Sequence, residues 1–194
     1  MSKKRQELID TAISLFAEHG FHNTGIDWIA REANVSKKTM YSHFRSKEEL
    51  ILAALKHHDG LFRNFFMKSV NDLADKPYER LLGIFDVANI WFSDKKFYGC
   101  MFINAIGEYA NREDAINQAC QSFKSQMTAF IEELAKEAKV ANPSELARAL
   151  SILLEGAIVT AQVAGTPESA KTARVAAKVL IDNAIAAPNA KTIF

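Results

Sequence analysis

Between Ala33 and Lys47 the chain carries Lys37, Lys38, Arg45 and Lys47 with His43, the hydroxyls of Ser36, Thr39, Tyr41 and Ser42, and no Asp or Glu. Such side chains donate hydrogen bonds and hold positive charge, which suits them to gripping phosphate oxygens and probing base edges. At about 100° per residue, Met40 and Phe44 share one helical face while Lys38, Ser42 and Arg45 point the opposite way, with Thr39 and Tyr41 on the flanks. A small helix that is apolar inside and cationic outside fits a DNA major groove. Charge alone does not decide, because a charge run is most often a solvated face.

A reading helix needs a fixed mount. Ile26, Ile29, Ala30 and Ala33 give a preceding helix one apolar face, and Thr24 with Asp27 three residues on reads as a capping-box start. The break falls at Asn34-Val35. Asn34 tolerates the left-handed conformation of a sharp corner, and Ser36 offers the cap for the second helix. Two helices joined by so short a corner are a helix-turn-helix. Before them, a first helix is predicted from Ser2 to His19 on the stripe Leu8, Ile9, Ala12, Leu15 and Phe16, with Gly20 as its stop. Phe21 is assigned to a small core with Ile29, Val35 and Met40. After them, Ser46 with Glu49 opens a fourth helix that runs to about Leu73, with Gly60 as a point for a bend.

Beyond Asp75-Lys76-Pro77, a stop followed by a start, the spacing predicts a fifth helix over residues 77–93, a sixth over 100–109 and a seventh over 112–139. Asn142-Pro143-Ser144-Glu145 is a further helix start, with Asn142 as cap, opening an eighth helix to about Ala164. Gly165-Thr166-Pro167 leads into a ninth that reaches about Ala187, and the tail PNAKTIF reads as a loose end. The last two helices are rich in alanine, so neighbours can approach closely. No strand pattern or repeat stands out, and the fold class is all-α with nine helices.

The 194 residues are 48% hydrophobic and 24% charged with a net charge of +1, ordinary for a soluble chain and without a global sign that announces a polyanion. The two cysteines, Cys100 and Cys120, make no disulfide framework and suit a reducing cytoplasm. MSKKRQELID has no apolar signal core, and no segment reaches about 18 uninterrupted apolar residues, so no membrane span is expected. His57-His58 is a poor metal motif, since adjacent helical positions diverge. An enzyme using Cys100 or a histidine lacks a linked Cys/His/acid set, a phosphate-binding glycine loop and metal-ligand spacing. No cofactor is expected.

The stretch LIDTAISLFAEHGFHNTGIDWIAREANVSKKTMYSHFRSKEELILAAL, with F-x-x-x-G-F, I-A-x-x-A-x-V-S-K, T-x-Y-x-H-F and S-K-E-E-L in register, closely resembles the DNA-binding domain of the tetracycline-repressor (TetR) family. The resemblance implies a helix-turn-helix domain over residues 1–47 and an effector-binding, dimerising domain over 48–194, linked by helix four at about 46–73. It implies a homodimer made by the last two helices, a double-stranded DNA operator and a small-molecule effector. It also implies that Thr24, Tyr41, His43 and Lys47 hold phosphates, that Lys37, Lys38, Thr39 and Ser42 face the bases, and that Gly25 and Ser36 support them. Trp28 is expected to pack against helix one or four.

The aromatic load between Leu61 and Phe130 is the candidate effector pocket, because ligand sites are mostly apolar with a few polar anchors. Phe62, Phe65, Phe102, Phe123 and Met127 are its apolar candidates. Trp91, Tyr98, Asn104, Glu108 and Gln162 are the polar ones, although most such residues in any protein are ordinary core. FYGCMFINA resembles a G-C-x-x-x-N pattern from a branch of the family in which some members respond to electrophiles or oxidants, which makes Cys100 an alternative sensor. A buried inert thiol is the competing reading. A transcriptional activator on the same fold is a further alternative.

Overall fold

The computed structural model describes residues 2–186; the expected loose tail and the last residue assigned to helix nine lie outside them. The described residues form nine helices: α1 (Lys3–His19), α2 (Ile26–Glu32), α3 (Lys37–His43), α4 (Lys47–Leu73), α5 (Pro77–Phe92), α6 (Met101–Glu108), α7 (Ala115–Glu137), α8 (Pro143–Ala164) and α9 (Glu168–Ala186). The chain is all-α, as its periodicity implies.

Local chemistry sets most boundaries. Ser2 caps α1 by accepting from Arg5 N–H, and Gly20 ends it at φ +83°. Asn34 takes the left-handed conformation (φ +51°), which lets Val35 N–H reach back to the Ala30 carbonyl and turns the chain into α3. Ser36 accepts from Thr39 N–H at 3.1 Å, and Ser46 accepts from Glu49 N–H at 3.2 Å while the Glu49 carboxylate takes Arg45 N–H at 2.7 Å. α4 continues through Gly60 as uninterrupted α-helix.

Three starts differ from expectation. α2 begins at Ile26 behind Gly25 with no side-chain cap, because the Thr24 hydroxyl donates backwards to the carbonyls of Gly20 (2.7 Å) and Leu15 (3.3 Å). α7 begins at Ala115 rather than near Arg112. Asn111 first makes a turn by accepting from Glu113 N–H, and Asp114 then accepts from Ile116 N–H at 2.8 Å. Asn142 precedes α8 without a side-chain cap bond, and its φ of −125° and ψ of 77° depart from usual capping geometry.

The contacts divide the chain into two compact units. The first holds residues up to Phe62 together with Cys100–Phe123, so α6 and the start of α7 pack with the helix-turn-helix. Its core combines Leu8, Ala12, Phe16, Phe21, Ile29, Met40, Phe44, Leu50 and Ile51 with Phe102, Ala105 and Cys120. Phe16 and Phe21 stack at 4.9 Å, and Trp28 packs over His19 at 4.8 Å, on α1.

The second unit holds Arg63–Gly99 and the described residues from Lys124 onward, where α9 packs on α5 and α8. Alanines 157, 161, 170, 173 and 177 are buried between these helices. The seams are closed by Arg174 to Asp86 (2.8 Å), Tyr78 to Asp182 (2.8 Å) and Lys124 to Glu155 (2.6 Å). α8, with a mean hydropathy of 1.5 in its most apolar window, is long and apolar enough to cross a membrane by length and composition. Its apolar residues split between a buried face (Leu146, Leu150, Leu154, Ile158) and an exposed one (Ile152, Val159, Val163).

Candidate nucleic-acid interface

α3 buries Met40 and turns everything else outward: Lys37, Lys38, Tyr41 and Ser42 are exposed, Thr39 and His43 half-exposed. The Ser36 hydroxyl holds both the Thr39 N–H and, at 2.8 Å, the Thr39 hydroxyl, so the first turn of α3 is fixed from within. Ser42 donates to the Thr39 carbonyl at 2.7 Å, leaving its oxygen as an acceptor toward solvent. Lys37 pairs with Asp27 across the corner at 2.8 Å, which steadies α2 against α3, and this carboxylate raises the ammonium pKa further. Both partners are exposed, so the pair exchanges readily for a phosphate. Gly25 is exposed, and a Cβ there would meet nothing within 4 Å.

Lys47 opens α4 with its ammonium 3.2 Å from the His22 carbonyl, and His43 Nε2 lies 3.5 Å from Ser2 Oγ. Thr24, expected to hold a phosphate, is wholly buried, and its hydroxyl proton serves the end of α1, so the side chain braces the domain. Arg5 lies over the Phe44 ring at 4.9 Å and ties the start of α1 to the end of α3.

The effector candidates fall into both units. In the first, Phe102 and Phe123 stack at 3.8 Å with planes 9° apart, Phe62 leans on Phe123 at 6.1 Å, and His58 lies 5.8 Å from both Phe62 and Phe102. Burial pushes the His58 imidazole down to about 4, so it stands neutral among these rings. Cys100 is buried before α6, and Asn104 is half-buried on it. Glu108 is not a pocket anchor: its carboxylate accepts the backbone N–H groups of Phe21 and His22.

In the second unit Phe65 is 55% exposed and lines no interior. Trp91 meets Phe97 edge-on at 5.2 Å, and Tyr98 is half-buried. The exposed Gln162 places its amide where a Cβ on Gly99 (φ +81°) would stand, and it borders a recess of about 430 Å³ with Phe92, Asp94, Lys95 and Phe97. Met127 lines another of about 300 Å³ with Lys124, Thr128, Ser151 and Glu155. Among the described residues no cluster of three or more His, Cys, Asp or Glu is placed to hold a metal.

Residues 8–54 match the family model described as bacterial regulatory proteins, tetR family, and residues 77–177 match that of the tetracyclin repressor-like C-terminal domain. The second alone spans more than half of the chain. The chain belongs to the TetR family. It is therefore a DNA-binding transcriptional regulator, not an enzyme. An uncharacterised HTH-type regulator of Bacillus subtilis, YerO, is 42% identical over 82 residues, 42% of this chain and 28% of its own. IcaR of Staphylococcus epidermidis, a negative regulator of the biofilm operon icaADBC, is 33% identical over 86 residues, 43% of this chain and 46% of its own. The chain thus spans less than half the length of either relative. A TetR-family regulator from Streptomyces coelicolor superposes with a TM-score of 0.86 at 24% identity, over 94% of this chain and 96% of its own, and so shares the fold.

Within this TetR-family chain sequence reasoning missed the pairing of Asp27 with Lys37, the contact of Arg5 with Phe44, the burial of His58 and the use of Glu108. A carboxylate ten residues before a lysine, or an acid closing a helix against its dipole, is the kind of signal that marks such roles.

Proposed function

We propose that this chain is a repressor that binds a palindromic operator as a homodimer and lets go when a small, mostly apolar or aromatic effector enters the C-terminal helices. The observation that carries the reading is the outer face of α3: exposed donors and cations, no acid on the helix, and a mount fixed at Asn34 and Ser36. Tyr41, His43 and Lys47 are assigned to phosphates; Lys37, Lys38, Thr39 and Ser42 to the groove floor. Ser42 reaches little by itself, so sequence choice rests on Lys37, Lys38, Thr39 and DNA shape.

The exposed aliphatic face of α8 and α9, with Ile152, Val163, Val175 and Val179 all more than half exposed, supports dimerisation through those helices. Two copies then present α3 to successive major grooves about 34–36 Å apart. For the effector, the ring cluster of Phe62, Phe102 and Phe123 with neutral His58 supplies apolar walls and one polar anchor. A ligand that favours a shifted α4 lowers operator affinity. Cys100 is 4% exposed, which supports a non-covalent effector over a thiol sensor. The protein acts in the cytoplasm without a membrane partner. The test is electrophoretic mobility of the DNA flanking its own gene: a shift by the wild type is expected, and no shift with any flanking fragment would count against autoregulatory repression.

A further inference from the structure

Glu108 closes α6, the end of a helix at which the backbone dipole disfavours a carboxylate. Its oxygens face the turn that follows α1. Oε1 accepts from Phe21 N–H at 2.8 Å, and Oε2 accepts from His22 N–H and lies 3.2 Å from His22 Nδ1. Tyr109 adds its ring, edge-on to Phe21 at 6.3 Å and 5.1 Å from the His22 imidazole. The approach is tight: a Cβ on Gly20, whose positive φ favours glycine in any case, would stand 3.1 Å from Glu108 Oε1.

The same turn is held from its carbonyl side. Thr24 donates to the Gly20 carbonyl, and Lys47 donates to that of His22. Residues 20–24 are thereby gripped through two N–H groups by α6 and through two carbonyls by their own domain. This turn sets the direction in which α2 leaves α1, and α3 is mounted on α2. Charge-assisted bonds are the stronger kind, and Phe21 is wholly buried, so its N–H is shielded from water while the carboxylate is in place.

We infer that Glu108 is a positioning residue for DNA binding: the carboxylate ending α6 fixes the turn from which α2 and α3 are hung, and so holds the recognition helix at its DNA-binding angle. The inference rests on the DNA-binding reading above.

The test selects a duplex from random-sequence DNA with the wild-type protein, then compares wild type, Glu108→Ala and Glu108→Gln for affinity and for amide hydrogen exchange. In Glu108→Ala the amides of Phe21 and His22 should exchange at least about tenfold faster and affinity should fall about tenfold, while the amides of Ile29 and Met40 stay protected. Glu108→Gln, which keeps one acceptor oxygen, should fall between. The salt dependence of binding should not change, since Glu108 neutralises no phosphate. Wild-type affinity or exchange in both variants overturns the inference, as does faster exchange at Ile29 and Met40, which would mark general loosening. A wild-type protein that enriches no duplex overturns the DNA-binding reading and this inference with it. Enrichment by the wild type with equal binding by the variants overturns this inference alone.

Discussion

Two exposed faces of this molecule are poorly explained by folding alone, and they differ in kind. The outer face of α3 presents Lys37, Lys38, Tyr41 and Ser42, groups that water satisfies at little cost and a polyanion satisfies better. The outer face of α8 and α9 presents Ile152, Val163, Val175 and Val179, which water does not reward at all. A face of donors is legible as a binding surface only through its geometry. A face of aliphatics is legible as an interface from exposure alone, once the buried face of the same helix is known. The proposed function uses both faces, one for DNA and one for a second copy of the chain.

The largest expected effect comes from charging the aliphatic face. Val163→Glu combined with Val179→Glu should leave a folded chain that sediments as a monomer, with operator affinity lower by about 100-fold, because each reading helix loses the effective concentration supplied by its mate. A variant that keeps the dimer mass would remove α8 and α9 from the interface. Stability, by contrast, should respond to the interior. His58 has a folded-state pKa of about 4 against an ordinary 6.5, so the unfolded chain takes the proton first. Stability is then complete above pH 6.5 and is lost as pH falls toward 4, by up to about 3 kcal/mol. Urea unfolding of His58→Phe across that range should show this part of the acid sensitivity gone; an unchanged pH profile would place the loss elsewhere.

Smaller effects belong to α3. Tyr41→Ala should weaken binding to every duplex by about tenfold, since a phosphate contact positions without specifying. Competition against a panel of single-base operator variants checks this, and a loss confined to one base pair would make Tyr41 a reader instead. Smallest is Asp27→Asn, which frees Lys37 from its ion pair. Affinity for any duplex should rise by less than about fivefold, with a steeper salt dependence and no change in unfolding midpoint.

What the sequence makes legible follows from how far apart the partners are. The corner at Asn34, the cap at Ser36 and the pair Ser46 with Glu49 are settled within a few residues, and each is where periodicity and capping rules put it. Thr24 fails as a cap because its hydroxyl finds the end of the previous helix instead. Glu108 was open to misreading as a pocket anchor since its partners lie 86 and 87 residues away. The aromatic residues show the same limit. Composition marks Phe62, Phe65, Phe102 and Phe123 alike, yet only the packing puts Phe65 outside and stacks Phe102 on Phe123. For the DNA face the motif order carries the resemblance residue by residue; for the effector side no motif does.

In the proposed function α3, presented twice by a dimer, is what this chain applies to DNA. Selection of binding sites from random-sequence duplexes, followed by footprinting of the enriched sequence, tests it most directly. The expected result is an inverted repeat with two protected major-groove segments centred about 34–36 Å apart, and loss of enrichment when Lys37 and Lys38 are both changed to alanine. A single unpaired half-site, or undiminished enrichment by the double variant, would contradict it.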